Sequence, residues 1–196
     1  MAAISSARAA GASTLLLLSV ACGGHRQSAT QAAAPAAKAL PPRPLGEVFV
    51  LEAAGAQPDD TTLRIDPGIE RVIVLRRSAP DFGLFARIEL GDSALQGDSA
   101  LGITIRPLPG EYGLDLVLRG EVGKGGAIVF SYGSHFVAPA GARARYGSDI
   151  YFERALAIGK LDEHEQLVFL PTTRPGSDML SATLAGPGRY LVAAPR

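Results

Sequence analysis

The sequence predicts an all-β fold, an antiparallel β-sandwich, over residues 46–196. Three observations predict it. From Gly46 onward, short apolar runs are broken by Gly, Pro and Asp about every 8 to 12 residues, the spacing of sandwich strands. Two of these runs alternate between apolar and polar side chains, the two-residue period of a half-buried strand. No segment carries a convincing apolar stripe at helical spacing. A body of 151 residues is one ordinary domain or two small ones. At that size it buries about 68–70% of its unfolded surface and requires no covalent staple.

Two segments precede the body. In residues 1–21, Arg8 is the only charged side chain. Ala9 to Thr14 are small, and a run from Leu15 to Leu18 leads through Ser19-Val20-Ala21 to Cys22, the single cysteine. The run falls far below the roughly 18 to 20 residues of a membrane-spanning helix. A weakly positive start, a short apolar core and small residues before a junction are the anatomy of a secretory signal helix. With Cys22 directly after Ser19-Val20-Ala21, the segment resembles the bacterial lipobox, although Ser19 stands where that family prefers Leu, Val or Ile. The resemblance implies cleavage before Cys22, a diacylglyceryl thioether on its sulfur, and membrane attachment through the lipid. Buried acyl chain stabilises such attachment by ~0.8 kcal/mol per methylene. Gly23 replaces the Asp of the inner-membrane retention signal, so the resemblance implies the outer membrane, facing periplasm or cell surface. The alternative is an ordinary signal cleaved nearby, with a free thiol at Cys22. Residues 22–45 then read as a disordered tether, rich in Ala and Pro from Ala32 to Pro44.

Within the body the clearest alternation is Tyr112 to Arg119, which sets Leu114, Leu116 and Leu118 on one face. Thr61 to Asp66 is a second, with Leu63 and Ile65 inward. Further strands are expected at 48–52, 70–76, 82–90, 102–106, 127–132, 134–137, 149–157, 166–170, 179–184 and 189–193. The best helix candidate is 150–161, but Ile150, Tyr151, Phe152 and Ile158 suit a strand at least as well.

Pro109-Gly110-Glu111-Tyr112 is echoed by Pro187-Gly188-Arg189-Tyr190. Phe49-Val50 with Ala54-Gly55-Ala56 is echoed by Phe136-Val137 with Ala140-Gly141-Ala142, and Ile69-Glu70-Arg71 by Phe152-Glu153-Arg154. Two readings follow: two tandem β units, 46–121 and 122–196, or turn chemistry that simply recurs. The stretch Leu108 to Leu114 resembles the closing strand of bacterial immunoglobulin-like and carboxypeptidase-regulatory-like modules. Phe136 to Ala142 is similar to a turn of ZU5-like β modules. Both resemblances imply an immunoglobulin-like sandwich and carry over no activity.

Composition excludes several classes. The body holds 15 basic and 19 acidic side chains, a net of −4, against the basic excess of a nucleic-acid binder. Without Trp, a sugar-stacking surface is weakened. Once Cys22 is lipidated, no disulfide or thiolate metal site remains. Asp162-Glu163-His164-Glu165 clusters four ligand types, but in an extended segment they split between two faces, so no metal is expected. Gly123-Lys124-Gly125-Gly126 lacks the Ser or Thr and the helix of a phosphate loop and reads as a turn. Gly91 to Leu95 recurs as Gly97 to Leu101, a lengthened hairpin loop rather than a calcium loop. His135 follows Ser131-Tyr132-Gly133-Ser134, so a Ser/His pair is conceivable, without a nucleophile elbow to support it.

The expectation is therefore a non-catalytic, lipid-anchored envelope protein, not an enzyme, without a cofactor. Its partners are the membrane, through the lipid on Cys22, and another envelope protein. The alternative is a module that binds glycan, peptidoglycan or a small ligand through Arg143, Arg145 and Tyr146, expected on a small basic-aromatic loop, and Tyr151. A hydrolase centred on His135 or His164 is the third reading.

Overall fold

The computed structural model describes residues 40–95, 99–120 and 122–196. The signal segment, Cys22 and most of the tether lie outside the described residues, as does the Gly97-Asp98 start of the second loop copy. Strands β1 (Arg43–Pro44), β2 (Val48–Val50), β3 (Glu52–Ala53), β4 (Thr61–Ile65), β5 (Arg71–Arg76) and β6 (Leu84–Leu90) come first. Strands β7 (Leu101–Pro107), β8 (Gly113–Arg119), β9 (Gly126–Ser131) and β10 (Phe136–Val137) follow. Two short helices, α1 (Ala142–Tyr146) and α2 (Asp149–Ala155), precede β11 (Ala157–Leu161) and β12 (Gln166–Phe169). The chain closes with β13 (Thr172–Gly176), β14 (Met179–Thr183) and β15 (Gly188–Pro195).

The strands form two main antiparallel sheets. One is eight-stranded, ordered β1-β12-β11-β15-β8-β7-β4 with β2 also paired to β15. The other is five-stranded, β13-β14-β9-β6-β5, and β3 with β10 makes a small third sheet. One core lies between them. The larger sheet supplies Ile103, Ile105, Leu114, Leu116, Ile158 and Val192, and the smaller supplies Ile73, Leu75, Ile88, Phe130 and Leu180, all in one contiguous cluster. The alternation that predicts β8 is therefore a packing pattern, with Leu114 and Leu116 facing across to the other sheet. The all-β sandwich expected from the sequence is the observed architecture.

Strand β15 is buried on both faces. Tyr190, Val192 and Ala194 enter the main core, while Leu191 and Ala193 join Val48, Leu161, Leu167 and Phe169 in a second cluster. Glycines make room there. A methyl group on Gly159 would lie 2.5 Å from Leu167 Cγ, closer than packed carbons approach.

Four expectations change. Residues 149–155 are helical rather than extended, because Ser148 caps the segment, its Oγ accepting from Tyr151 N at 3.3 Å. Phe152 is then buried while Ile150 and Tyr151 are exposed, and the strand begins only at Ala157. The Arg143 segment is helix α1, bounded by Gly141 and Gly147 in the left-handed region that favours glycine. Leu63 is exposed although Ile65 is buried, because β4 is an edge strand. The ordered body reaches back into the expected tether, since Arg43 and Pro44 pair with Leu167 and Gln166; an edge position tolerates proline's missing N–H.

The segments 46–121 and 122–196 are interleaved. Strand β15 pairs with β8, and β9 with β6, so both segments build both sheets. The echoed Pro-Gly turns open neighbouring antiparallel strands, with Tyr190 opposite Leu114. The third echo diverges, because Ile69-Glu70-Arg71 leads into β5 whereas Phe152-Glu153-Arg154 lies in α2.

Candidate functional site

Three places concentrate chemistry or exposed apolar surface. The first is the helical pair. Arg143, Arg145, Tyr146 and Tyr151 all lie on it or beside it, but they do not converge. Arg143 grips Asp149 through two hydrogen bonds, Nε to Oδ1 at 3.0 Å and Nη2 to Oδ2. That contact holds the Asp149 carboxyl below the usual carboxylate range and raises Arg143. Tyr146 turns inward, its hydroxyl donating to Pro195 O at 2.5 Å and its ring meeting Phe49 and Phe152 edge-on or tilted. Burial pushes its hydroxyl above the ordinary tyrosine range. Arg145 and Tyr151 remain exposed. Of the expected surface, one arginine is neutralised and one tyrosine is a packing residue.

The second place is a buried polar cluster after β5. Alternation along β5 sends Ile73, Leu75 and then Arg77 inward, and Arg77 is only 2% exposed. A buried charge is costly unless its donors are satisfied. Arg77 Nη1 donates to Ala54 O at 2.7 Å and Ala56 O at 3.2 Å, and Nη2 to the Tyr112 hydroxyl at 2.6 Å. That hydroxyl donates onward to Tyr132 O at 3.3 Å. The guanidinium also lies 5.3 and 5.4 Å from the ring centres of Phe85 and Tyr112, which are stacked on each other. Asp81 Oδ2, 3.6 Å from Arg77 Nε, is 2.5 Å from His135 Nε2.

A histidine oriented by a carboxylate is part of a nucleophilic site. Among the described side chains, no nucleophile is aligned with it. Ser131 lines the same cleft, but its Oγ lies 3.5 Å from Asp178 Oδ2. The side chain of Ser134 lies outside the described residues. The cleft measures about 60 Å³, against the roughly 300–1,000 Å³ of ligand pockets. The cluster ties the loop before β4 to the loop between β5 and β6.

The same holds for Tyr132 and Arg174. Arg174 Nη1 donates to the Tyr132 hydroxyl at 2.8 Å, and Nη2 to the carbonyls of Glu153 and Leu156 at 2.7 and 3.0 Å. A cation thus closes the C-terminus of α2, where orphan carbonyls and the helix dipole favour it. Burial pushes the Tyr132 hydroxyl up, and Arg174 opposes the shift.

Other sequence candidates resolve into turns. Asp162 Oδ1 accepts from the backbone N of His164 and of Gln166, at 2.9 and 2.8 Å, and no cluster of metal-ligating side chains occurs among the described residues. The glycine run after β8 packs on the Asp92–Leu95 turn; a methyl group on Gly123 would sit 2.3 Å from Ser93 O. Close backbone approach, not phosphate, accounts for those glycines.

The third place is the free edge of β5. It pairs with β6 on one side, and no strand among the described residues pairs with the other. Its outward side chains Val72 and Val74 are 53% and 48% exposed, and Ile69 and Phe82 beside it are 51% and 60% exposed. Inland lie Glu89 and Arg87, opposite Val72 and Val74 on β6 and paired to each other at 2.6 Å. The other edges are blunted. Strand β13 carries Pro175 and a register break, β1 is two residues long and ends in Pro44, and β4 turns Thr62 and Arg64 outward. Natural sheets protect their edges with such devices. Strand β5 has neither an internal proline nor a lysine, its charges lie only at its two ends, and its pairing with β6 shifts register only past Leu75, at Arg76.

Sequence reasoning missed Arg77, Asp81 and the β5 edge. The signals were present in Arg71-Val72-Ile73-Val74-Leu75-Arg76-Arg77. A strand apolar on both faces is either central or an interaction edge, and an arginine on the inward parity is a buried cation. Comparison with protein-family models, curated proteins and solved structures finds no match for this chain.

Proposed function

We propose that this protein is a non-catalytic, lipid-anchored component of the bacterial cell envelope whose β-sandwich engages another protein. The observation that carries this reading is the free edge of β5, with Val72 and Val74 half exposed on a strand that nothing among the described residues covers. Strand edges bind by adding a strand, which satisfies the unpaired backbone groups and buries alternate side chains. Two further observations support it. The buried Arg77 and Tyr112 groups are consumed by partners within the fold, and the Leu15–Cys22 segment carries the lipobox-like pattern that leads to membrane attachment.

The test has two arms. Cells labelled with a palmitate analogue incorporate it into the full chain and not into Cys22→Ala, which leaves the membrane fraction. In membranes, Val72→Lys lowers cross-linked protein association at least tenfold without moving the thermal midpoint. Equal labelling of Cys22→Ala removes the anchor; undiminished association of Val72→Lys removes β5 as the interaction edge.

A further inference from the structure

We propose that the partner of β5 is a second copy of this chain, paired antiparallel about a two-fold axis through Ile73, so that two five-stranded sheets join edge to edge. The inference rests on the reading of β5 as an interaction edge and names its occupant.

The argument is one of register. Along β5 and the residue before it, Glu70, Val72, Val74 and Arg76 are exposed, while Ile73 and Leu75 are buried at 7% and 3%. A two-fold axis perpendicular to the sheet keeps outward faces on one side, so each residue must oppose one of the same parity. Three axes near the strand centre satisfy that: Val72, Ile73 or Val74. With Val72 on the axis, Glu70 opposes Val74. With Val74 on the axis, Arg76 opposes Val72. Only Ile73 on the axis sets Glu70 opposite Arg76 and Val72 opposite Val74, each pair formed twice by symmetry. Opposite charges and β-branched side chains are the favourable cross-strand pairs.

The single molecule leaves these groups available. Neither Glu70, Arg71 nor Arg76 is in an ion pair among the described residues, and Arg76 only reaches Phe82 O at 3.3 Å. Beside the strand, Arg87 and Glu89 already neutralise each other, and Arg71, which opposes Leu75 in this register, keeps its charge at the exposed end of the seam. The same register carries Ile69 of one copy to the Arg77 end of the other, where Phe82 is exposed. An unrelated extended peptide would cover Val72 and Val74 but gives no account of opposite charges placed symmetrically about Ile73. A lipid surface would leave the edge's backbone groups unpaired. The isologous contact closes on itself, so it yields a dimer and not a filament.

Disulfide trapping in membranes tests the register, using the full chain with two distinguishable tags. Residues directly opposed across an antiparallel pair lie within reach of a disulfide. Val72→Cys and Val74→Cys, co-expressed on differently tagged copies and oxidised, give a cross-linked dimer at least tenfold above either variant alone and above wild type, which carries only Cys22. A single variant that cross-links to itself reports a different axis and overturns this one. Charge exchange gives an independent reading. Glu70→Arg or Arg76→Glu alone lowers the dimer fraction several-fold, and the double variant restores it; failure of that rescue also overturns the proposal. If wild type forms no dimer while Val72→Lys loses an envelope protein that wild type retains, the second copy is overturned and the interaction edge stands. If wild type forms no dimer and Val72→Lys changes no association, both fall.

Discussion

Arg77 occupies the inward position that the alternation of β5 would give to an apolar side chain, two residues past Leu75. Its donors reach two carbonyls of the 54–56 loop and the Tyr112 hydroxyl, so it fastens segments distant in sequence. Removing it leaves those acceptors buried and short of a donor, and it removes the cation that faces Asp81. Each buried acceptor left without its donor costs roughly 1–3 kcal/mol, so the loss of Arg77 costs about 3–5 kcal/mol in all. Arg77→Ala should therefore lower the unfolding free energy by about that much in urea titrations, while Tyr112→Phe, which keeps the ring, should lose about 1–2 kcal/mol. A loss below about 1 kcal/mol for Arg77→Ala would mean that water replaces the guanidinium, and the cluster would lose its structural role. The inward parity of Arg77 was legible in the sequence. Its partners were not: Ala54, Asp81, Tyr112 and His135 meet it through tertiary folding, and no local period encodes that meeting.

Strands of long, clean alternation were legible, and for a physical reason. Strands β7 and β8 each bury one face against the core, so the period of two survives in the sequence. The helices were not, because α1 and α2 are five and seven residues long and bury little more than Ala142 and Phe152, too few positions to draw a stripe. Strand β15 was placed by its apolar run, and one side chain on it makes a further prediction. The Tyr190 hydroxyl accepts from Ala185 N at 2.9 Å and donates to Gly186 O at 2.6 Å, holding the turn that leads into the strand. Burial pushes its pKa up to about 12 from an ordinary 10.0. Below pH 10 both states keep the proton; between 10 and 12 the unfolded chain releases it and the folded chain does not, so stability falls as pH rises. Two pH units of difference correspond to roughly 2–3 kcal/mol. Tyr190→Phe should be about 1–2 kcal/mol less stable than wild type at pH 8, from the lost hydrogen bonds. That gap should close toward pH 12, because the variant lacks the alkaline loss. Urea unfolding at pH 8, 10 and 11.5 measures it; a gap independent of pH would show that Tyr190 does not stay neutral.

For the whole molecule, interleaved topology decides how the body should unfold. The repeated Pro-Gly-x-Tyr turns suggested two units, yet β15 and β8, which carry them, are neighbours in one sheet, and β9 pairs with β6 in the other. A unit cut near residue 121 would leave β8 and β6 each without one neighbour and expose the core between the sheets. Stability is thus shared across the chain, as expected where one hydrophobic cluster spans both sheets. Calorimetry of the full chain should show one transition, with calorimetric and van't Hoff enthalpies equal for the folded body. Ile103→Ala in β7 and Ile158→Ala in β11, 1% and 0% exposed, lie on opposite sides of that cut. Each should cost about 2–5 kcal/mol and lower the same midpoint, because each opens a cavity in the one core. Two resolved transitions, with each substitution moving only one of them, would mean that the halves fold as separate domains despite their shared sheets. A single transition moved by both substitutions also bears on the β5 edge. With the core cooperative throughout, Val72 and Val74 stay exposed because the native sheet ends there, and local fraying of a separate unit does not account for them.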